Sequence, residues 1–549
     1  MKQYRPSEEV DFLIIGAGAA GGVMAKELSA AGFSVVVLEQ GPYLREKDFQ
    51  HDEIKYTRLA AMTNNVKRQP HTYRKSDAET ATVPDQRVIQ YGRQVGGGSV
   101  HFTANYWRLW ESDFKQKTKW GGVTGASLAD WPITYADLEP YYTKAEEELG
   151  ISGLAGANPF EAWRSKPYPL PPLPVKSSGV IFERATRKLG LHPFPAPMAI
   201  LSQPYRGRGG CAHCGFCESF GCEVRAKSST LATVIPVAER TGRCEIRPES
   251  YTRKIELGPN GRVTGVVYFD AGRREVFQKA KAVIVCANGS ETPRLLLMSK
   301  SSGFPQGLAN SNGMVGKNLM FDAGFSAYGV FEHPLNEFKS VQTTRVIHDF
   351  YEPDPKRGFH GGGGIDARFD FYPASFALSG LPRDAPRWGS EWKAMVSRNF
   401  NRTMTVLAHA TCLAQERNSI SLDPDVKDAW GLPAIRITFD FHADDVSNMK
   451  FLLERQVEIL RAAEALKVWT DDTNEYYLPH NHLMGTCRMG DDAKGSVVDR
   501  HHRAHDVPNL FLVDGSSFVT AGCQPTCTIQ ALAYRAADHI AREARKAEI

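Results

Sequence analysis

The sequence predicts an α/β protein with a Rossmann-like, cofactor-binding domain and a second, α+β domain built on an antiparallel sheet. Residues 11–41 follow the order strand, glycine-rich turn, helix, strand. Short apolar runs at 283–285 and 510–513 are typical of further buried strands in a parallel sheet. Residues 403–412 and 434–441 alternate apolar and polar side chains, and 444–465 has apolar residues at helical spacing. These last segments predict the second domain.

Composition excludes several classes of function. The 549 residues are 42% hydrophobic, which suffices for a large core, and ~100–200 residues per domain predicts two or three domains. A net charge of +4 without a Lys/Arg run argues against nucleic acid as a partner. No stretch reaches the ~18 apolar residues of a membrane span, and the first residues lack the apolar core of a signal peptide. We therefore expect no membrane span and no export signal in this chain.

The first element carries a dinucleotide-binding turn. In the run Gly16-Ala-Gly18-Ala-Ala-Gly21, the first glycine allows a tight turn, the second lets the backbone approach a pyrophosphate, and the third lets helix and strand pack closely. Glu39 ends the second strand, where a carboxylate can bind ribose hydroxyls. An arbitrary glycine-rich turn would explain the glycines but not Glu39, so we expect all four residues to bind a nucleotide.

Four of the ten cysteines lie within twelve residues, at Cys211, Cys214, Cys217 and Cys222. Crowded thiolates favour an iron–sulfur cluster. Structural zinc is an alternative, although zinc ribbons normally place two Cys-x2-Cys pairs apart in sequence. Unligated thiols are the third possibility. The other six cysteines show no disulfide framework, which fits folding in a reducing compartment.

Later motifs resemble those of the glucose–methanol–choline (GMC) oxidoreductase family along the whole chain. Those motifs lie at 91–101, 131–142, 287–296, 313–319, 480–490, 509–516 and 524–526. The resemblance implies FAD as the cofactor and oxidation of alcohols as the activity. It also implies a discontinuous FAD-binding domain at 1–320 that includes a cysteine-rich loop at 205–230, a substrate-binding domain at 321–470, and a C-terminal catalytic segment of the FAD-binding domain at 471–549.

The same resemblance assigns roles to individual residues. His482 matches the family's catalytic histidine, a base suited to neutral pH, with His480 as a neighbour. Gln524 stands where the family has histidine or asparagine, although a shifted alignment would put Cys523 there. The resemblance further assigns FAD contacts to Gly97, Ser99 and Asp514.

His101 departs from the commoner family pattern, which has an asparagine shortly after the glycines. It matches a histidine that carries the flavin covalently in pyranose-oxidising relatives. We therefore expect either a covalent bond between His101 and FAD or a histidine packed near the flavin ring.

The cysteine loop resembles that of one branch: the flavoprotein subunits of bacterial gluconate 2-dehydrogenase, fructose dehydrogenase and FAD-dependent glucose dehydrogenase. This implies a [3Fe-4S] cluster on Cys211, Cys217 and Cys222; ligation by Cys214 as well would give [4Fe-4S]. It also implies a small export subunit with a twin-arginine signal, a cytochrome c subunit, and a periplasmic site of action. A cytoplasmic enzyme is equally compatible with the missing signal.

The leading functional hypothesis is a dehydrogenase that oxidises a secondary or hemiacetal hydroxyl of a sugar, sugar acid or glycoside, with a glycoside 3-dehydrogenase as one variant. Electrons would pass from the flavin through the cluster to a cytochrome. One alternative is an oxygen-using oxidase with unligated or structural cysteines. The other is an electron-transfer or structural subunit that no longer binds substrate.

Overall fold

The computed structural model describes residues 2–83, 88–471 and 481–549. Its strands are β1 (Val10–Ile15), β2 (Val35–Leu38), β3 (His71–Arg74), β4 (Phe194–Pro195), β5 (Cys244–Arg247), β6 (Tyr251–Leu257), β7 (Val263–Phe269), β8 (Glu275–Val285), β9 (Ser326–Val330), β10 (Arg345–Ile347), β11 (Gly363–Arg368), β12 (Thr403–Ala410), β13 (Ser419–Lys427), β14 (Pro433–Thr438), β15 (Lys467–Thr470) and β16 (Leu510–Leu512). Its α-helices are α1 (Ala19–Ala30), α2 (Gln116–Trp120), α3 (Tyr135–Leu149), α4 (Ser177–Lys188), α5 (Val234–Arg240), α6 (Asn288–Met298), α7 (Pro373–Ser379), α8 (Gly389–Asn399), α9 (Ala443–Ala462) and α10 (Thr526–Arg545).

A parallel sheet forms the cofactor-binding half, with strand order β5-β2-β1-β8-β16. Every residue of β2 is buried, as expected of a strand covered on both faces. The first half of β8 leaves this sheet and pairs antiparallel with β7, which pairs in turn with β6. Helix α1 packs against α10 and α5. This half confirms the predicted Rossmann-like architecture.

An antiparallel second sheet has the order β15-β9-β12-β11-β10-β4. Strand β12 covers most of the alternating segment predicted at 403–412, and helix α9 packs on β12 and β9. The carboxyl ends of β11 and β12 carry polar side chains, Arg368 and His409, that line the cavity described below. The α/β fold with further sheets in a second domain is therefore confirmed.

A third, smaller sheet joins distant parts of the chain in the order β13-β14-β3. Strand β14 pairs antiparallel with β13 and parallel with β3. Strand β3 lies in the range 1–320, so segments on both sides of residue 320 share this sheet. Within the part of the chain that the structure describes, no helix is both long and apolar enough to cross a membrane.

Candidate active site

The predicted nucleotide turn lies between β1 and α1. Gly16 has φ +95°, and a Cβ there would lie 2.4 Å from the carbonyl oxygen of Cys286. A Cβ on Gly21 would lie 1.8 Å from the Gly16 carbonyl oxygen. Gly18 occupies the N-cap of α1 without a side-chain cap, which leaves the N–H groups of the first turn available to phosphate oxygens.

The second glycine run packs directly on this turn. A Cβ on Gly97 would lie 2.7 Å from the Cα of Gly18, so the two backbones are in close contact. Ser99 Oγ donates to the Gly96 carbonyl at 2.7 Å and accepts from the Thr230 N–H at 3.1 Å. Ser99 thus stabilises the loop that covers the nucleotide turn.

Glu39 and Asp514, the two carboxylates predicted to bind the cofactor, are buried beside the glycines. Glu39 accepts backbone hydrogen bonds from Ala17 and Gly41 at 3.0 and 2.9 Å, and burial raises its pKa to about 7. Asp514 accepts from the Asn288 N–H at 3.0 Å and the Thr292 hydroxyl at 2.6 Å. Both carboxylates line the cavity, and their hydrogen bonds hold neighbouring backbone segments of its walls in place.

A single cavity of about 530 Å³ connects the nucleotide turn to the predicted catalytic residues. Its lining includes these predicted site residues: Gly16, Gly18, Glu39, Gly97, Ser99, His101, His482, Asp514 and Gln524. Gly21 instead serves the turn through its contact with Gly16. A dinucleotide cofactor is long, so it needs one uninterrupted cavity that reaches from the glycine-rich turn to the reacting residues. The residues that line this cavity fit FAD. His480 lies outside the described residues.

His482 is held by a carboxylate. Its Nδ1 lies 2.9 Å from Asp322 Oδ2. Asp322 is buried, and burial alone would raise its pKa; hydrogen bonds from His409 and His482 outweigh that effect and lower the pKa. An ionised Asp322 favours a proton on Nδ1 of His482, which leaves Nε2 as the acceptor nitrogen of the neutral ring.

His409 is a second histidine of this cluster. Its Nδ1 lies 3.5 Å from Asp322 and its Nε2 lies 3.0 Å from Asp366. Burial would lower the pKa of His409, but the two aspartates raise it to about 9. A pKa of about 9 favours the imidazolium form of His409 at neutral pH, while Arg368 Nη2, 2.9 Å from His409 Nε2, places a second cation beside the ring.

Gln524 contacts this imidazolium. Its side-chain Nε2 lies 2.9 Å from His409 Nδ1. An imidazolium cannot accept a hydrogen bond from an amide N–H, so in that form of His409 a hydrogen bond to Gln524 requires the amide oxygen on this side. The amide NH₂ then remains for an oxygen in the cavity. The neighbouring Cys523 is buried, and its Sγ lies 2.9 Å from the His409 carbonyl oxygen.

His101 and the cysteine loop are in contact. The Ser219 N–H donates to the His101 carbonyl at 2.7 Å. The ammonium of Lys227 donates to the Phe102 carbonyl at 3.1 Å, the Phe220 carbonyl at 2.7 Å, and the Cys217 carbonyl. His101 lines the cavity, so the loop that carries the cysteines lies directly behind a cavity wall.

The four loop cysteines differ in burial. Cys217 is buried, Cys211 and Cys222 are half-buried, and Cys214 is exposed. Backbone N–H groups lie near two sulfurs: His213 N is 3.3 Å from Cys211 Sγ and Lys227 N is 3.5 Å from Cys222 Sγ. Burial, with smaller effects of neighbouring thiolates, raises the pKa of Cys211 to about 11 and that of Cys217 to about 12. Ligation of a metal would therefore release protons from these thiols.

Cys214 lies with His51 and Glu223, and the possible ligand atoms of these three residues are within 4.8 Å of one another. His51 Nε2 is 3.0 Å from Glu223 Oε1, and its ring stacks on Phe216 at 4.2 Å. Within the described residues, no three loop cysteines bring their sulfurs that close. A tetrahedral zinc site, with Zn–S bonds of ~2.3 Å, requires closer sulfurs. Among the described residues, the spacing of the loop sulfurs therefore differs from that of a tetrahedral zinc site.

Sequence reasoning missed several polar residues of the cavity. These residues are Glu218, Asp322, Arg368, Asp370, His409 and Asp471. His409 lies in the segment predicted only as an alternating strand, and Asp322 lies three residues after the recognised 313–319 motif. Each is a polar residue with apolar neighbours in the sequence. The sequence alone does not show whether such a residue faces the core or the solvent.

The fold and the cavity define a dinucleotide-dependent oxidoreductase. The cavity that fits the cofactor also contains two histidines, His409 and His482. Two GMC oxidoreductase models match residues 181–322 and 414–533, and a model of the NAD(P)-binding Rossmann-like domain matches residues 14–79. The chain belongs to the GMC oxidoreductase family, and its cofactor is FAD.

Relatives align over nearly their full length. The 2-methyl-1,2-propanediol dehydrogenase of Mycolicibacterium austroafricanum is 35% identical, over 98% of this chain and 96% of its own. The gluconate 2-dehydrogenase flavoprotein of Pantoea cypripedii is 29% identical, over 97% and 94%. The fructose dehydrogenase large subunit of Gluconobacter japonicus is 28% identical, over 98% of each chain. These relatives support the family assignment.

Solved structures share the fold. The pyridoxine 4-oxidase from Mesorbium loti superimposes with a TM-score of 0.65 at 17% identity, covering 96% of this chain and 98% of its own. This likeness concerns the fold alone.

Proposed function

We propose that the chain is an FAD-dependent dehydrogenase that oxidises a secondary or hemiacetal hydroxyl of a sugar, sugar acid or glycoside. Electrons then pass through an iron–sulfur cluster on Cys211, Cys217 and Cys222 to a cytochrome c-type acceptor. A hydroxyl substrate is supported by the family and by relatives named for a diol, gluconate and fructose.

The residues of the cavity supply the acid–base chemistry. Bound FAD supplies the hydride acceptor. His482 Nε2 takes the proton of the reacting hydroxyl, while Asp322 holds the imidazole in the required tautomer. The Gln524 amide, turned by His409, binds the hydroxyl oxygen. Imidazolium His409 also favours negative charge on that oxygen as its proton leaves.

The contact between the cysteine loop and the cavity wall carries the electron-transfer part of the proposal. Lys227 ties the Cys217 carbonyl and the Phe102 carbonyl to one ammonium, and Glu218 of the same loop lines the cavity. A cluster on this loop would lie close to bound FAD and would accept its electrons singly. The placement of Cys214 beside His51 and Glu223 supports three-cysteine, [3Fe-4S] ligation.

Anaerobically purified holoenzyme tests the proposal. We expect iron and acid-labile sulfide at about one cluster per flavin, and bleaching of the flavin by members of a sugar and polyol panel. Cys217→Ser should lose the cluster and cytochrome reduction, while substrate still bleaches the flavin. Cys214→Ser is the matched control and should keep a [3Fe-4S] cluster.

Other results would redirect the assignment. Stoichiometric zinc without iron would contradict the cluster. Hydrogen peroxide formed at the same rate as substrate is consumed, with no gain from a dye acceptor, would identify an oxidase. A flavin that no panel member bleaches would indicate an electron-transfer or structural subunit.

We further propose that a ring nitrogen of His101 is bonded to the 8α carbon of FAD. In forming this bond the 8-methyl group would lose one hydrogen and the imidazole its N–H proton, and the two electrons released would reduce the flavin, which the enzyme's electron acceptor would then reoxidise. The bond would retain the cofactor and make the ring a better hydride acceptor. Acid-precipitated enzyme should then stay yellow, a tryptic peptide spanning residues 94–108 should carry the flavin mass, and His101→Ala should release FAD. Flavin found wholly in the acid supernatant would make His101 a neighbour of the ring.

The proposed partners are a small subunit with an export signal and a cytochrome c subunit, acting in the periplasm. Names such as "large subunit" among the relatives support a multi-subunit enzyme. Fractionation of the native host should recover the chain with a cytochrome in the periplasm. Recovery in the cytoplasm without a cytochrome would contradict this part of the proposal.

A further inference from the structure

One wall of the cavity is formed by Glu218, Arg368 and Asp370, here termed the acidic wall. Glu218 comes from the cysteine loop, and the other two come from the carboxyl end of β11 and the residues after it. The Tyr372 hydroxyl donates to the Glu218 carbonyl at 2.8 Å and thereby ties the two segments together. Phe369 and Phe371, on either side of Asp370, pack in one apolar cluster. These contacts hold the side chains of the acidic wall in fixed positions.

Arg368 carries the positive charge of this wall and is paired with Asp366. Arg368 Nε donates to Asp366 Oδ1 at 2.6 Å, and Nη2 donates to Asp366 Oδ2. Its Nη1 lies 3.8 Å from Asp370 Oδ1. Among the described residues that line the cavity, no lysine and no other arginine is present. A substrate carboxylate would therefore find no unpaired cation among these cavity residues, because Arg368 is held by Asp366 and imidazolium His409 lies between Asp322 and Asp366.

The wall has unused hydrogen-bond acceptors. Glu218 Oε2 and Asp370 Oδ1 are buried atoms that accept no hydrogen bond. Other cavity carboxylates are engaged: Asp322 by histidines, and Asp471 by the Ser326 N–H at 2.7 Å and the Tyr328 hydroxyl at 3.2 Å. Buried acceptors without donors are costly, so the two atoms indicate where a ligand donates hydrogen bonds.

We propose that Glu218 and Asp370 bind hydroxyl groups of a neutral polyhydroxy substrate, a sugar, glycoside or polyol, and that this wall rejects sugar acids. The inference rests on the proposed oxidation of a hydroxyl and narrows its substrate class. Hydroxyls fit better than ammonium groups, because the Arg368 guanidinium already faces Asp370 and imidazolium His409 lies in the same cavity.

Matched substrate sets test the inference. Anaerobic flavin bleaching is measured for neutral sugars and polyols and for their carboxylate and amino analogues. We expect kcat/KM for the neutral compounds to exceed that of each analogue by roughly 10-fold or more, since burying a charged group without a partner costs at least that factor. Asp370→Asn and Glu218→Gln should each raise KM for neutral substrates and narrow the neutral-to-acid ratio. Exposed Asp384→Asn serves as the control and should change neither value.

The outcomes separate the two proposals. If no hydroxyl compound bleaches the flavin, the proposed function fails. If hydroxyl compounds bleach it but sugar acids or amino sugars are equal or better substrates, the proposed function stands and the acidic wall is wrongly assigned. An unchanged neutral-to-acid ratio in Asp370→Asn and Glu218→Gln would also overturn the inference.

Discussion

At the scale of single residues, one buried carboxylate organises two histidines with different roles. Asp322 lies 2.9 Å from His482 Nδ1 and 3.5 Å from His409 Nδ1. Its lowered pKa keeps it ionised at neutral pH. Asp366 adds a second negative charge next to His409 alone. This asymmetry favours a cationic His409 and supports the base role that we propose for His482.

Replacing His482 with alanine should slow flavin reduction by roughly 10²–10⁴, the usual range for general acid–base catalysis. Substrate affinity should change less, because Gln524 and the acidic wall remain. Stopped-flow reduction under anaerobic conditions, over a range of substrate concentrations, separates the two effects. A variant that reduces its flavin at the wild-type rate would assign the base to another residue.

The pKa of His409 predicts a pH dependence of stability. Its pKa is raised to about 9 in the folded protein, against ~6.5 in an unfolded chain. The stabilisation is therefore complete below pH ~6.5 and is lost as the pH rises through about 9. Asp366→Asn should lower the pKa of His409 and move this loss to lower pH.

Histidine-labelled NMR and thermal unfolding between pH 6 and 10, of both proteins, would check this prediction. A His409 resonance in Asp366→Asn that still titrates near pH 9 would show that Asp366 does not maintain the imidazolium.

At the scale of elements, Lys227 joins the cysteine loop to the cavity wall. Its buried ammonium donates to backbone carbonyls on both sides, and burial lowers its pKa despite nearby thiols. Lys227→Met would keep the volume and leave three carbonyls without their donor. We expect FAD to remain bound, while the cluster content falls and cytochrome reduction slows by at least roughly 10-fold, because each lost charged hydrogen bond is worth about that factor.

Iron analysis and separate measurements of flavin and cytochrome reduction test this expectation. The exposed Lys279→Met is the control and should behave as wild type. Normal cluster content in Lys227→Met would mean that the loop is held by other contacts.

At the scale of the whole molecule, cofactor binding depends on contact between remote parts of the chain. A Cβ on Gly97 would lie 2.7 Å from Gly18 Cα, and Gly97 has φ +55°. Overpacking typically costs ~1–3 kcal/mol, so Gly97→Ala should weaken FAD binding by roughly 10-fold or more. Gly303, with no atom within 4 Å of an added Cβ, provides the control Gly303→Ala. Flavin content and thermal unfolding of both variants test the contact, and equal flavin content would contradict it.

Local patterns were sufficient for much of the fold. The βαβ turn, the apolar strands that became the end of β8 and β16, and the helix α9 were all predicted, because each depends on periodicity or on glycines close in sequence. The pairing of β3 with β14 was not predictable, since strand partners far apart in sequence leave no mark in either strand.

By itself, the sequence determined the α/β class, because the βαβ turn depends on residue types at short spacings such as Gly16, Gly18 and Gly21. The GMC family and FAD followed from the resemblance of several motifs along the whole chain to those of the family. It also singled out His482 and Gln524 through the family motifs. Only the tertiary structure brought Asp322 and His409 to them and placed the cysteine loop behind His101. The acidic wall likewise needs the cysteine loop and the end of β11 to meet. Charge, burial and hydrogen bonding between distant residues are properties of that packing, so a linear pattern does not contain them.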